Sequence, residues 1–298
     1  MFVPRARSEI ERAFPELVVR EVAFLGAGVD SAAYLVDGAW VFRFPKRGEV
    51  SRALAREIAV LPKLVGRLPV ATPRFSYVGH QAETGLLFAG YPLIPGEPLT
   101  PELFHALTHM DQERVLETLA EFLRGVHHFP VAEATEAGVE ALSTRDWVDS
   151  CWSAGRADAL RLLPPSDRRV VTRLVGRFLA DDRNFASTPC LLYADFAPEH
   201  VLYDRAARGI GGIIDWGDLA IGDPDYDLLY LYQDYGDAFV RRLLAYYPHT
   251  DPTRLITKLR IFNACDYVRD VLAGGADPSE ADAVHETASA LRELLRDA

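Results

Sequence analysis

A single β-rich island, residues 190–216, interrupts a chain that otherwise carries helical patterning from about residue 112 to residue 296. Within it, a short apolar run ends at Tyr193, Asp195 opens a loop, His200 closes it, and a second run leaves at Val201. After a turn near residues 204–209, a third run over residues 210–214 delivers Asp215 at its end. Pairing of the second and third runs as a hairpin brings His200 and Asp215 to the same end, with Asp195 beside them. Two carboxylates and an imidazole then converge on one spot. Phosphoryl transfer needs such an arrangement, because its transition state leaves the protein mainly positioning and charge neutralisation to perform. One carboxylate suits a divalent cation held against phosphates, and a second suits the proton of an attacking hydroxyl.

The first third of the chain reads differently. Ser8 and Glu11 form a capping-box pattern ahead of a short N-terminal helix. Residues 18–25, 31–36 and 39–44 are β-rich, punctuated by Gly26-Ala27-Gly28 and by Asp37-Gly38, a hairpin signal. A helix is expected over residues 49–65, its apolar stripe formed by Val50, Leu54, Ile58, Leu61 and Val65. Glu57 projects beside that stripe, and a buried carboxylate there requires a cationic partner. Strands near 75–78 and 85–90 complete a five-stranded antiparallel sheet, and residues 91–96 read as a linker. Further helices are expected over 112–127, 143–162, 167–180, 224–233, 238–247, 252–272 and 278–296. The class is α+β, with residues 1–93 as one lobe and 94–298 as a mostly helical second lobe holding the hairpin island.

The island also carries a family resemblance. Asp-x4-His, followed by Ile-Ile-Asp-Trp-Gly-Asp-x4-Gly-Asp-Pro, resembles the aminoglycoside phosphotransferases, a branch of the protein-kinase-like fold. The segments around Asp195–His200 and Gly212–Asp218 look most like the aminoglycoside 2″-phosphotransferases. The resemblance implies a bilobal fold, ATP or GTP as phosphoryl donor, and Mg²⁺. It implies Asp195 as catalytic base and Asp215 as a Mg²⁺ ligand. His200 takes the place near the metal where most relatives have Asn. Tyr193 departs from the family, standing where a His usually precedes the catalytic Asp by two residues.

On the nucleotide side, the Gly26, Gly28 and Ser31 loop can cover phosphates with backbone N–H groups, or serve as a plain hairpin turn. Arg43 follows where the family normally has a phosphate-contacting lysine, and Lys46 is the alternative. Glu57 would pair with that cation. The resemblance also makes residues 88–94, with Tyr91 and Leu93, the hinge that meets the purine base.

Charge bears on the acceptor. Acidic side chains number 43 against 32 basic ones, for a formal net charge of −11, which disfavours a nucleic-acid backbone and suits a cationic ligand. Residues 216–240 contain six aspartates and no lysine or arginine. Asp223 and Pro224 mark a helix start, and Asp225 and Asp227 favour its positive end. Asp218 is the leading acceptor contact, then Asp234 and Asp237, then Asp266 and Asp270 on the 252–272 helix. The resemblance names an aminoglycoside. A macrolide, an amino alcohol or a sugar is the alternative acceptor, and a nucleotide-binding module without catalysis is the reading of another class.

The three cysteines are too far apart for a zinc or disulfide pattern. No stretch approaches the ~18 apolar residues of a membrane span, and residues 1–12 lack a signal-peptide core. A cytoplasmic protein, monomeric or weakly dimeric, is expected.

Overall fold

The computed structural model describes residues 3–270 and 280–295. The chain opens with helix α1 (Val3–Ala13). Strands β1 (Val22–Ala27), β2 (Ser31–Val36) and β3 (Trp40–Pro45) follow as an antiparallel meander. Asp37 and Gly38 both take left-handed φ values, 51° and 66°, and Ala39 N–H closes the turn onto the Val36 carbonyl at 3.0 Å. That conformation matches the twist of the flanking strands, which is why Asp-Gly favours hairpins. Helix α2 (Gly48–Leu64) precedes β4 (Tyr77–His80) and β5 (Leu87–Pro92), and the sheet order is β1-β2-β3-β5-β4. Apolar residues of α1, of the turn after it and of the sheet, among them Ile10, Phe14, Tyr34, Phe42 and Phe88, form one buried cluster.

Strand β6 (Glu97–Pro98), helices α3 (Pro101–Ala106), α4 (His109–His127) and α5 (Val131–Glu136), and the two-residue β7 (Glu140–Ala141) come next. Thr108 caps α4, its hydroxyl accepting from Asp111 N–H. The chain continues through α6 (Thr144–Ala159), α7 (Pro165–Ala180) and β8 (Cys190–Leu192) into the hairpin β9 (Val201–Asp204) and β10 (Gly209–Ile213). β11 (Ala220–Gly222), α8 (Leu229–Leu243), α9 (Pro252–Asp270) and α10 (Glu280–Glu293) complete it.

By contact, residues 1–140 and 193–219 form one compact unit, and residues 141–192 and 220–298 a second. In the first, β6 pairs with β9, giving a sheet of order β10-β9-β6. Ala71 bridges to Gly212, where a Cβ would run into the Ile94 side chain. Arg208, in the hairpin turn, donates to Asp111 of α4 at 2.8 Å. In the second unit, β11 pairs antiparallel with β8, and α6 packs so closely on α9 that only glycine fits at position 155, against the Val268 backbone.

Several expectations need correction. Ser8 lies inside α1 rather than ahead of it, and its hydroxyl donates to the Pro4 carbonyl one turn back. Residues 91–92 extend β5, because pairing with β3 (Trp40 opposite Pro92) outweighs the local break signal. Short helices α3 and α5 were not expected. The helices expected over 224–233 and 238–247 are instead a 3-10 turn, Pro224–Leu228, and the single helix α8, which kinks at Gly236 (φ 82°). Of the helices expected over 252–272 and 278–296, residues 271–272, 278–279 and 296 lie outside the described residues.

Candidate active site

The hairpin register decides where the functional groups go. Val201 faces Ile213, and Ile214 N–H donates to the His200 carbonyl at 2.9 Å, so His200 and the residue after Ile214 share one end. Asp215 has φ 55° and Ala194 has φ 67°, two left-handed positions beside the cluster. Such positions persist only where surrounding packing holds them. Here the packing is aromatic: Tyr193, Phe196 and Trp216 are fully buried, with Phe122 of α4 against all three at 5.4–5.9 Å between ring centres. Tyr193 donates its hydroxyl to the Ile214 carbonyl at 2.5 Å, and Trp216 Nε1–H donates to the Ile213 carbonyl at 3.0 Å. The tyrosine that departs from the family pattern thus ties down the turn carrying Asp215.

His200 Nδ1 is 3.1 Å from both the Asp195 carbonyl oxygen and Asp195 Oδ2, and its Nε2 is 3.8 Å from Asp215 Oδ2. Burial alone would lower the imidazole pKa. The hydrogen bond to Asp195 and the charges of Asp195 and Asp215 prevail and raise it to about 9.

Arg43 of β3 supplies the partner that Glu57 requires. Nη1 lies 3.2 and 2.9 Å from the two Glu57 oxygens, and Nη2 lies 2.7 Å from Asp215 Oδ1. Burial pushes the Glu57 carboxyl upward, while Arg43 and the Trp216 N–H pull it back. A guanidinium does not give up its proton in a protein, so Arg43 stays charged between its two carboxylates. Lys46 does not pair with Glu57: it is exposed, and its Nζ donates to the Gly28 carbonyl of the glycine loop.

These groups line one cavity of about 830 Å³. Gly26, Gly28, Ser31, Arg43, Glu57, Tyr91 and Leu93 line it from the sheet, its flanking loops and α2, and Asp195, His200 and Asp215 from the island, with Asp218 just beyond it. A Cβ built at Gly26 or Gly28 meets nothing within 4 Å, and Ser31 Oγ is buried without a hydrogen-bond partner. Asp218 has an open surface, yet crowding around its carboxyl and the charges of Asp195, Asp215 and Asp30 raise it to about 6. Sequence reasoning missed Arg47, Glu49, Arg56 and Glu199, which also line the cavity. Glu49 and Arg56 stand at i and i+7 with the small Ala53 between them at i+4, so a helix face beside Glu57 with charged ends was a readable signal.

Among the described residues, no three or more His, Cys, Asp or Glu side chains make a ready metal cage. Magnesium that enters with phosphates needs only one or two carboxylates. Asp215, with its side chain 40% exposed and on the cavity wall, fits that demand.

The other acceptor candidates lie in the second unit. Asp234 is exposed on α8, and Asp237 accepts from Arg241 and Arg260. Asp266 is buried on α9 with Arg269 at 2.7 Å, and the Asp270 side chain lies outside the described residues. The acidic run is therefore partly balanced by cations from later in the chain, including Lys258 on Asp223 and Asp225.

The chain belongs to the phosphotransferase enzyme family, whose model matches residues 21–256. Its fold is that of the protein-kinase-like aminoglycoside phosphotransferases. It is 33% identical to the protein in the GDP and kanamycin complex of APH(2″)-IIIa, with a TM-score of 0.87 and coverage of 98% of each chain. The GDP complex of wild-type aminoglycoside 2′-phosphotransferase-IIIa matches at 32% identity and a TM-score of 0.88, over 100% of this chain and 99% of that one. The viomycin phosphotransferase of Streptomyces vinaceus is 26% identical over 207 residues, 68% of this chain and 67% of its own length. Among the described residues, no helix is long and apolar enough to cross a membrane.

Proposed function

We propose that this chain moves the γ-phosphoryl group of ATP or GTP to a hydroxyl of a small cationic molecule, an aminoglycoside in the first instance. The carrying observation is that Asp195, His200 and Asp215 line the same cavity as the Arg43–Glu57 pair and the Gly26–Ser31 loop. In this reading, the loop and Arg43 hold the phosphates, with Glu57 fixing Arg43. Tyr91 and Leu93 flank the base, and residues 1–93 act as the nucleotide lobe. Asp195 receives the proton of the acceptor hydroxyl, and His200 Nδ1 steadies that carboxylate from 3.1 Å. Asp215 would hold Mg²⁺, with His200 as a second ligand only in its neutral form, and when bound the ion neutralises charge on the transferring group. Asp218 receives an ammonium of the acceptor, with Asp234, Asp237, Asp266 and Asp270 as further candidates in the acceptor-bearing residues 94–298.

The GDP and kanamycin complex supports both halves of this reading, and antibiotic resistance is the role that follows from it. The Streptomyces vinaceus relative brings viomycin into the acceptor panel. Nucleoside diphosphate release, measured with ATP or GTP against kanamycin, gentamicin, a macrolide and viomycin, tests it. Release that depends on an aminoglycoside supports the assignment. Release with none of the panel under either nucleotide would sink it.

A further inference from the structure

Arg43 joins two carboxylates that have different duties. Its backbone is fixed in the sheet between Ala33 of β2 and Ala89 of β5, and its side chain is 11% exposed. From there Nη1 is committed to Glu57, itself 1% exposed, while Nη2 reaches Asp215 Oδ1 at 2.7 Å. A planar fork with donors on separate nitrogens spans two partners in this way. A lysine ammonium gathers its three donors on one atom and cannot bridge the same pair with the same geometry.

The Asp215 carboxylate that would hold a divalent cation therefore already has a cation on one of its oxygens. A second cation competes for the same carboxylate, and Tyr193 holds the backbone of the Asp215 turn in place through the Ile214 carbonyl. Nucleotide phosphates offer the guanidinium another anion within the same cavity. One Arg43–carboxylate contact is then exchanged for an Arg43–phosphate contact, and Glu57 keeps its hold on Nη1.

We propose that Arg43 is the built-in counter-cation of Asp215, so that the divalent cation loads with the nucleotide and not ahead of it. Arg43 is a positioning residue in this role, and the inference rests on the reading of Asp215 as a metal ligand. Mn²⁺ alone, followed by its electron paramagnetic resonance signal without nucleotide, is the probe. Wild type binds it weakly, and Arg43→Lys binds it about tenfold more tightly because a full charge-assisted contact to Asp215 is loosened. Glu57→Gln works in the opposite direction: with one carboxylate charge gone, Arg43 bears harder on Asp215 and Mn²⁺ binding weakens severalfold. Thermal unfolding establishes that each variant is folded. Arg43→Lys binding no tighter than wild type overturns the inference. Should that variant not fold, Glu57→Gln decides, and unchanged or stronger binding there overturns it. Asp215→Asn separates the two readings. If it binds Mn²⁺-ADP like wild type, Asp215 is not the metal ligand and the functional reading loses its metal site. If it loses the metal while Arg43→Lys leaves nucleotide-free affinity unchanged, only the counter-cation falls.

Discussion

In the second unit Lys258, 5% exposed, sits between Asp223 and Asp225, and His249 Nε2 adds a contact to Asp225 Oδ1 at 3.2 Å. In the first unit Glu57, Asp195, Asp215 and Asp218 have Arg43 and His200 as their close cationic neighbours, with Arg47 and Arg56 elsewhere on the cavity wall. The Lys258 cluster closes its charge internally, as burial demands, since an unpaired buried ion costs several kcal/mol. The cavity cluster leaves a negative excess beside open space. The comparison separates charges that hold a fold together from charges that wait for a ligand. Sequence composition alone does not make that distinction, because both clusters are aspartate-rich.

The largest break in this contrast is expected at Asp195. Asp195→Asn should lower acceptor-dependent nucleoside diphosphate release by about 10²–10⁴ while nucleotide affinity by calorimetry stays unchanged. Near-normal turnover would remove Asp195 as the base, and loss of transfer with intact binding would dispose of a non-catalytic module. Next comes the closed cluster. Lys258→Met strands two buried carboxylates and should cost about 3–5 kcal/mol in denaturant unfolding. A loss under about 1 kcal/mol would mean that solvent already reaches these groups.

Smaller effects sharpen the same contrast. Tyr193→Phe removes the donor to Ile214 and should cost about 1 kcal/mol of stability, with a severalfold fall in turnover as the Asp215 turn loosens. Turnover equal to wild type would show that the aromatic packing suffices. The pH effects are the smallest, and they oppose each other. The hydrogen bond to Asp225 raises the His249 pKa above its ordinary 6.5, so that contribution is complete below about pH 6.5 and fades as pH rises through the folded value. His249→Gln should therefore lower the melting temperature at pH 5.5 more than at pH 9. Asp218 runs the other way. Crowding and neighbouring carboxylates raise it from 3.8 to about 6, so its ionised form burdens the fold fully above about pH 6 and not at all below its ordinary value. Asp218→Asn should raise the melting temperature at pH 7.5 and leave it unaltered at pH 3.5. A stabilisation of equal size at both would show that its charge is not the cause.

Local signals carried much of the fold. The Asp37-Gly38 turn, the apolar stripe of helix α4 and the β9–β10 hairpin each depend on residues within a few positions of one another. Their periodicity and turn chemistry are written in a short window. Ser8 misled because the same hydroxyl that caps a helix also back-bonds inside one, and only the surrounding helix settles which. Residues 91–92 misled because strand pairing with β3 is a long-range contact that a local Pro-Gly signal does not report. The acidic run over 216–240 looked unbalanced for the same reason: its cation Lys258 comes from a later helix.

The candidate site divides along that line. The sequence by itself determined that Asp195, His200 and Asp215 converge, because a hairpin of nearby strands has one register that keeps its apolar residues inside. It also marked Glu57 as a carboxylate in need of a cation. Only the tertiary structure decided that the cation is Arg43 and not Lys46, and that it also grips Asp215, 172 positions away. It likewise decided that Asp218 faces the cavity, and that Asp223 and Asp225 are spent on Lys258. Each of those outcomes depends on where separate elements place their charges, and Coulomb's law acts on distance in space, which the order of residues does not contain.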